Sequence, residues 1–261
     1  MQAPQTQKKP PLAVLFDSSL DGDIDQVLAL AMLFGVAGRQ QARVASLSTS
    51  VFSLRAARFL DLVARFYAGD QPGAPASRNT PAIGMSTLGI ETNTVPPMLE
   101  AALGKARDDG KPAYLATMSM LNDTADAVAL MRNALSAQVD RNAAIVLAGR
   151  PVNLLGLVAI PDGRAWVTRK AAVLAIAAGR FDGGAPDPAI RNDVAGFRKL
   201  FADWTAPIVV AGAELNDALP FPGASVETSF TWAPHHPVVD AYRAFRGVPY
   251  DAPSRTLAAV R

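Results

Sequence analysis

The sequence contains no cysteine and only two histidines among its 261 residues. Without a thiol the chain can form no disulfide, no thiolate nucleophile and no cysteine-ligated metal centre. The absence fits a soluble protein of the cytoplasm as well as one of an oxidising compartment such as the bacterial periplasm. Cysteine content therefore leaves the compartment open.

Long apolar runs and an excess of one charge are also missing. No stretch reaches the roughly 18 apolar residues of a membrane-spanning helix, and 25 basic against 23 acidic residues leave a net charge of +2. We therefore expect neither a membrane nor a nucleic acid as partner. The polar start, residues 1–11, is predicted to be a flexible tail or what remains of a removed leader.

Apolar residues make up 50% of the chain, which is enough to bury one sizeable core. We expect a single domain over residues 12–261. Continuous apolar runs alternate with stretches of helical period, a pattern that predicts an α/β fold with three layers, namely a mostly parallel central sheet and helices on both faces. The predicted strands are 12–16, 43–47, 143–149, 171–179 and 207–212, and the predicted helices are 25–34, 54–67, 123–137 and 194–204.

Four carboxylates crowd the loop that follows the first predicted strand, in the stretch VLFDSSLDGDIDQVLAL at 14–30. In parallel sheets, ligands bind beyond the carboxyl ends of the strands, where this loop is expected to lie. Helix capping and a turn would account for Asp21, Asp23 and Asp25. They do not account for Asp17, because an unpaired carboxylate is costly at the buried end of a strand.

Three familiar acidic or phosphate-binding motifs do not fit the loop. An EF-hand starting at Asp21 would need glycine and glutamate where Gln26 and Met32 stand. A phosphatase of the haloacid dehalogenase type would need a second acid two residues after Asp17, where the chain has Ser19. A glycine-rich phosphate cradle is absent as well. A weakly bound, displaced cation on Asp21 and Asp23 remains an alternative.

The same loop resembles, without gaps, the first motif of the nucleoside hydrolases, which runs D-T-D-M-G-N-D-V-D-D-A-L-A-L. Five further segments resemble later motifs in the family's order, so that the likeness spans nearly the whole chain and points to the inosine-uridine preferring nucleoside hydrolases. These segments are RNTPAIG at 78–84, DAVALMRNALSAQVDRNAAIVLAGRPVNLLGLV at 126–158, WVTRKAAVLAIAAGRF at 166–181, NDVAGFRKLFADWTAPIVVAGAEL at 192–215 and HPVVDAYRAF at 236–245.

In the family that it resembles, a calcium ion held by loop carboxylates binds the ribose diol and a water molecule. A neighbouring aspartate takes the proton of that water, and the N-glycosidic bond of a ribonucleoside is hydrolysed. A hard cation takes oxygen ligands and lowers the pKa of its bound water, and the base must lie within hydrogen-bond reach of that water.

Carrying these roles over to this sequence reveals several departures. The first acid is kept as Asp17, but the acid that is both base and metal ligand falls on Ser19, which we expect to be catalytically inactive. A second metal-binding aspartate falls on Gln26, and the late one falls on Arg255. Ser19 and Gln26 each remove a negative charge that would attract a dication, and Arg255 replaces a third with a positive charge that would repel it.

The remaining roles fall on positions that keep part of the chemistry. The backbone carbonyl ligand falls on Val152, and the ribose-binding acid falls on the shorter Asp187. We expect no metal or other cofactor, with Asp17, Asp25 and the Val152 backbone as residual metal donors. The implied substrate-binding positions are Asp17, Asp25, Gln26, Ser50, Asp187 and Arg255.

A protein cation could take the place of the metal ion. Our hypothesis is that the guanidinium of Arg255 lies where calcium would lie and pairs with Asp17 or Asp25, because a bidentate arginine–carboxylate pair satisfies buried acids.

Three functions remain open at this point. The first is a pseudoenzyme that keeps a ribose-binding pocket but hydrolyses nucleosides weakly or not at all. The second is an active N-glycosidase that cleaves a ribosyl compound by a modified, metal-independent mechanism, and the third is an unrelated hydrolase on a similar scaffold. The expected partner is a small ribosyl or sugar ligand, and the resemblance implies a homodimer or homotetramer.

Overall fold

A computed structural model describes residues 10–92, 96–219 and 221–245 of the chain. Its strands form one sheet of seven, in which all neighbours run parallel and the order is β4-β3-β2-β1-β5-β6-β7. The parallel α/β sheet predicted from the apolar runs is thereby confirmed. The strands are β1 Leu12–Ser18, β2 Ala42–Thr49, β3 Ala82–Met85, β4 Ala125–Asp126, β5 Ala143–Ala148, β6 Ala171–Ala177 and β7 Ile208–Ala211.

Helices cover both faces of the sheet, as the three-layer prediction requires. One buried cluster joins Phe16 and Leu47 of the sheet to α1, α2, α3 and α11, and another joins Leu15 and Ile145 to α4, α5, α6 and α8. The helices are α1 Ile24–Gly38, α2 Leu54–Tyr67, α3 Pro97–Leu103, α4 Ala127–Ser136, α5 Val152–Ala159, α6 Gly163–Lys170, α7 Pro188–Asn192, α8 Val194–Asp203, α9 Ala213–Ala218, α10 Ala224–Ser229 and α11 Pro237–Phe245.

One predicted helix was wrong in its first turn. Residues 123–137 were predicted as a single helix, but a 3₁₀ turn at Leu121–Asp123 and the short strand β4 precede α4. The carboxylate of Asp126 accepts a hydrogen bond from the backbone N–H of Ala129, so it caps α4 and fixes its start. The helix predicted at 54–67 has the same bounds as α2, because the hydroxyl of Ser53 caps it in the same way.

The direction in which successive strands are added to the sheet changes at β1. The chain goes from β1 to β2 on one side, whereas β5 pairs with β1 on the other. Loops that leave the carboxyl ends of such strands diverge and leave a crevice between them, which is where ligands bind in doubly wound sheets. The acidic loop follows β1 and therefore lies at this crevice.

Other expectations about the whole protein have a more limited outcome. None of the helices in the described part of the chain is both long and apolar enough to cross a membrane. The single domain with a flexible tail and the homodimer or homotetramer stay predictions.

Candidate functional site at the carboxyl end of β1

Asp17 is the last residue but one of β1 and is fully buried. Its Oδ1 atom accepts hydrogen bonds from the hydroxyl of Ser48, at 2.8 Å, and from the amide of Asn153, at 3.0 Å. Its Oδ2 atom is equally buried and has no hydrogen-bond partner among the described residues. One carboxylate oxygen is thus anchored by neutral donors, and the other has no donor among the described residues.

Burial dominates the electrostatics of this carboxyl group. Desolvation raises the pKa of Asp17 from 3.8 to about 7, although the hydrogen bonds from Ser48 and Asn153 pull it down. Within the described chain, its neighbours relieve the buried charge by hydrogen bonding alone and not by pairing with a cation. Asp17 therefore changes between its neutral and charged forms close to neutral pH.

Ser19 and Gln26, two positions at which the resemblance implies acids, bind each other. The amide nitrogen of Gln26 donates to the Ser19 hydroxyl at 3.2 Å, and that hydroxyl donates to Asp21 at 2.7 Å. The amide oxygen of Gln26 accepts from the Ser18 hydroxyl at 2.7 Å and from the backbone N–H of Leu20. Both side chains are thereby committed to holding the loop.

The acids further along the loop belong to the start of α1. Asp23 is the N-cap residue, and its Oδ1 atom accepts from the backbone N–H of Asp25 at 3.1 Å. This confirms the capping interpretation for Asp23. Asp25 is half-buried in the first turn of the helix, and burial, followed by the charge of Asp23, raises the pKa of its carboxyl group.

Ser50 and Gly149 bring the ends of β2 and β5 against the acidic loop. The backbone N–H of Ser50 donates to the carbonyl oxygen of Ser18, and its buried hydroxyl accepts from the backbone N–H of Arg150, both at 3.0 Å. A Cβ atom at position 149 would lie 2.5 Å from the backbone nitrogen of Ser19 and 2.6 Å from the Ser50 hydroxyl. Only glycine permits this close approach.

The remaining predicted site residues lie elsewhere or outside the described chain. Val152 is the first residue of α5, next to the Asn153 that reaches Asp17. Asp187 is the N-cap of α7, where its Oδ1 accepts from Ala189 and Ile190, so its carboxylate serves a helix terminus. Arg255 lies outside the described residues.

The resemblance implies a calcium ion near Asp17, so the oxygen atoms there have to supply its ligands. Calcium takes 6–8 oxygen ligands, usually including several carboxylates. The described residues contain no group of three His, Asp or Glu side chains that could hold a metal, and the Gln26 oxygen is already occupied by two donors. The buried side-chain oxygens of Asp17 and Asn153 that lack a donor among the described residues are Oδ2 and Oδ1 respectively, and two such atoms are fewer than the ligands that calcium takes.

Sequence reasoning missed Ser48 and Asn153, the two residues that hold Asp17. Ser48 had a faint signal, because serines at 46, 48 and 50 interrupt an apolar strand that was expected to be buried. Asn153 ends the stretch GRPVN, within a matched motif of which only the Val152 carbonyl was considered. Its amide also donates to the carbonyl oxygen of Thr49 at 2.9 Å, so that it joins the ends of β1 and β2.

A cavity of about 500 Å³ lies at the other end of the strands, where β3 and β4 begin at Ala82 and Ala125. Its buried charges satisfy one another. Asp61 accepts from Arg65 at 2.7 Å and from the backbone N–H of Thr117 at 2.6 Å. These contacts tie the chain after α3 to α2.

No protein-family model and no curated protein matches the sequence. Solved structures do match the fold. A plant nucleoside hydrolase, the PpNRh1 enzyme, aligns with a TM-score of 0.63 at 17% identity, covering 90% of this chain and 71% of its own.

Two effector proteins align over a similar range. The type III effector XopQ, solved in complex with adenosine diphosphate ribose, gives a TM-score of 0.63, and the effector XOO4466 gives 0.59. Both are 15% identical over 92% of this chain, which spans 66% of theirs. The fold of this protein is therefore nucleoside hydrolase-like.

Proposed function

We propose that this protein binds a small ribosyl compound at the carboxyl end of β1 and hydrolyses ordinary nucleosides weakly or not at all. The observation that carries the proposal is the hydrogen bonding of the side chains in the loop after β1. Asp17 presents one open, buried oxygen, while Ser19 and Gln26, at the positions of family acids, are bound to each other.

Ribose hydroxyls suit the open atoms. A vicinal diol offers two O–H donors, and the buried oxygens of Asp17 and Asn153 are two acceptors that lack donors among the described residues. A buried acceptor without a donor costs about 1–3 kcal/mol, which a bound hydroxyl would recover. The complex of XopQ with adenosine diphosphate ribose shows that a protein of this fold accommodates a ribosyl compound.

Weak hydrolysis follows from the missing base. Position 19 carries a hydroxyl in place of a carboxylate base, and the described residues contain no group of three acidic or histidine side chains that could hold a water-activating dication. The loss of the calcium site is part of the proposal.

A second function is favoured by one observation, the pKa of about 7 at Asp17. A carboxyl group that titrates near neutral pH is suited to general acid or base catalysis. In this alternative, Asp17 itself would exchange a proton with water in a metal-independent cleavage of an N-ribosyl bond.

One assay separates the two functions. The protein is incubated with inosine, uridine and p-nitrophenyl riboside, with calcium and with a chelator, and released ribose is measured. The first function predicts no release above that of an Asp17→Asn variant, and the second predicts calcium-independent release that this variant loses. Calcium-dependent turnover at ordinary enzyme rates would contradict both, and a difference between inosine and uridine would test the base preference that the resemblance implies.

A further inference from the structure

Arg150 lies at the crevice but takes no part in the hydrogen bonds around Asp17. It follows β5 directly after Gly149, and its backbone N–H is fixed to the Ser50 hydroxyl at 3.0 Å. Because β5 pairs with β1 in register, with Leu147 opposite Asp17, the residue leaves the sheet on the same edge as the acidic loop. Its backbone position is therefore set by the same contacts that shape the candidate site.

The side chain of Arg150 is half-buried and unpaired. Its Nε atom is shielded from solvent without a hydrogen-bond acceptor, and no carboxylate of the described chain pairs with its guanidinium. Several other arginines in the described chain have acceptors, as in the pairs Arg43–Gln138, Arg55–Glu100, Arg65–Asp61, Arg164–Asp203 and Arg169–Asp140.

An arginine stays charged at every physiological pH and carries five N–H donors in a planar fork. Shielding part of that fork from water without an acceptor costs free energy, which a bound acceptor would recover. Asp17 is not the partner, because its hydrogen bonds come from Ser48 and Asn153. The guanidinium therefore has no counter-ion among the described residues.

Two kinds of group at the crevice thus lack a partner that a ligand could supply. The buried oxygens of Asp17 and Asn153 need hydrogen-bond donors, and the guanidinium of Arg150 needs an anion. The helix α5 starts two residues after Arg150 without a side-chain cap, and its N-terminal end also favours negative charge. A phosphorylated sugar carries hydroxyl donors and an anion in one molecule.

We infer that Arg150 selects ribosyl compounds that carry a phosphate group, such as a ribose phosphate or a nucleoside diphosphate ribose, over uncharged nucleosides. The inference rests on the proposed ribosyl site and adds a substrate class to it. A guanidinium and a phosphate form two parallel charge-assisted hydrogen bonds, whereas an uncharged ribosyl group offers the arginine no such partner.

Binding of ribose and ribose 5-phosphate, measured by protein-observed NMR titration at low ionic strength, tests the inference. We expect ribose 5-phosphate to bind the unmodified protein at least ~10-fold more tightly than ribose, a gain typical of one charge-assisted contact. In Arg150→Gln the two ligands should bind equally, and Arg150→Lys should keep part of the gain. Added salt should reduce the gain in the unmodified protein.

The matched control is Arg132→Gln, which removes an exposed arginine that bonds only its neighbour Asn133. It should leave both affinities unchanged, and thermal unfolding of each variant checks that it is folded. Equal binding of the two ligands by the unmodified protein, or a phosphate gain that survives in Arg150→Gln, would overturn the inference and leave the ribosyl site intact. If neither ligand bound, the proposed function itself would fail.

Discussion

The side-chain amide of Gln26 donates a hydrogen bond to the hydroxyl of Ser19 across 3.2 Å, which joins two positions at which the resemblance implies acids. The contact spans seven residues and closes the loop between β1 and α1. Neutral groups can approach in this way, whereas two carboxylates at the same positions would repel each other without a cation between them. The first prediction rests on this difference.

Restoring the acids should create a calcium site. In Ser19→Asp with Gln26→Asp, the new carboxylates and Asp17 would repel one another, so we expect a lower melting temperature in chelator than for the unmodified protein. Millimolar calcium should raise it again by about 5 °C or more, because ligands that bind only the folded state stabilise it. Differential scanning calorimetry with and without calcium measures both effects.

The control for this variant is Ser19→Asn with Gln26→Asn, which has similar size and no charge. It should show no shift with calcium. A calcium-dependent shift of equal size in the unmodified protein would contradict the proposed loss of the metal site.

Replacing Asp17 by asparagine should change how stability depends on pH. The pKa of Asp17 is 3.8 in the unfolded chain and about 7 in the folded one, so between these values the folded state binds more protons than the unfolded state. The free energy of unfolding of the unmodified protein therefore falls as pH rises from about 4 to 7, by at most ~4 kcal/mol for this group, and is constant with respect to it above that range.

Asp17→Asn removes this titration and keeps an oxygen for Ser48 and Asn153. Relative to the unmodified protein, the variant should gain stability steadily from pH 4 to pH 7 in urea unfolding. Asp108→Asn, which changes an exposed carboxylate, is the matched control. A stability difference for Asp17→Asn that stays constant between pH 4 and pH 8 would refute the raised pKa.

The buried asparagines Asn142 and Asn153 should differ in what they contribute to stability. Asn153→Ala removes donors from Asp17 and from the Thr49 carbonyl and leaves both acceptors buried, so we expect a loss of about 2–4 kcal/mol. Asn142→Ala removes one side-chain donor, to the Pro11 carbonyl, and should cost about 1 kcal/mol. Chemical denaturation measures both losses, and equal losses would mean that Asn153 does not hold the site together.

A methyl group at Gly149 should disturb the crevice. In Gly149→Ala the added carbon would collide with the backbone of Ser19 and with the Ser50 hydroxyl, so the loop must shift, and we expect at least a ~10-fold loss of ribosyl binding and a lower melting temperature. Gly35→Ala is the control, because the Cβ atom added at this position of α1 would meet no atom within 4 Å outside its own helix backbone. That change should raise stability by about 0.5–1 kcal/mol, and unchanged binding by Gly149→Ala would show that the close approach is dispensable.

The local parts of the fold were predictable from the sequence. The helix α2 has the predicted bounds because its apolar residues repeat at helical spacing and a serine caps it. The core strands were predictable because strands buried on both faces are continuous apolar runs. The short strands β3 and β4, of four and two residues, gave no such run, and the sheet's pairing holds them rather than their own propensity.

The sequence by itself determined that an acid closes the first strand of a parallel sheet and that it is buried there, and its resemblance to nucleoside hydrolases predicted acids where it has Ser19 and Gln26. Only the tertiary structure decided what surrounds that acid, since Ser48 and Asn153 are 31 and 136 residues away along the chain. It also left the buried Nε atom of Arg150 without an acceptor among the described residues. Contacts of this kind depend on which strands lie side by side, and local patterns of hydrophobicity do not encode that order.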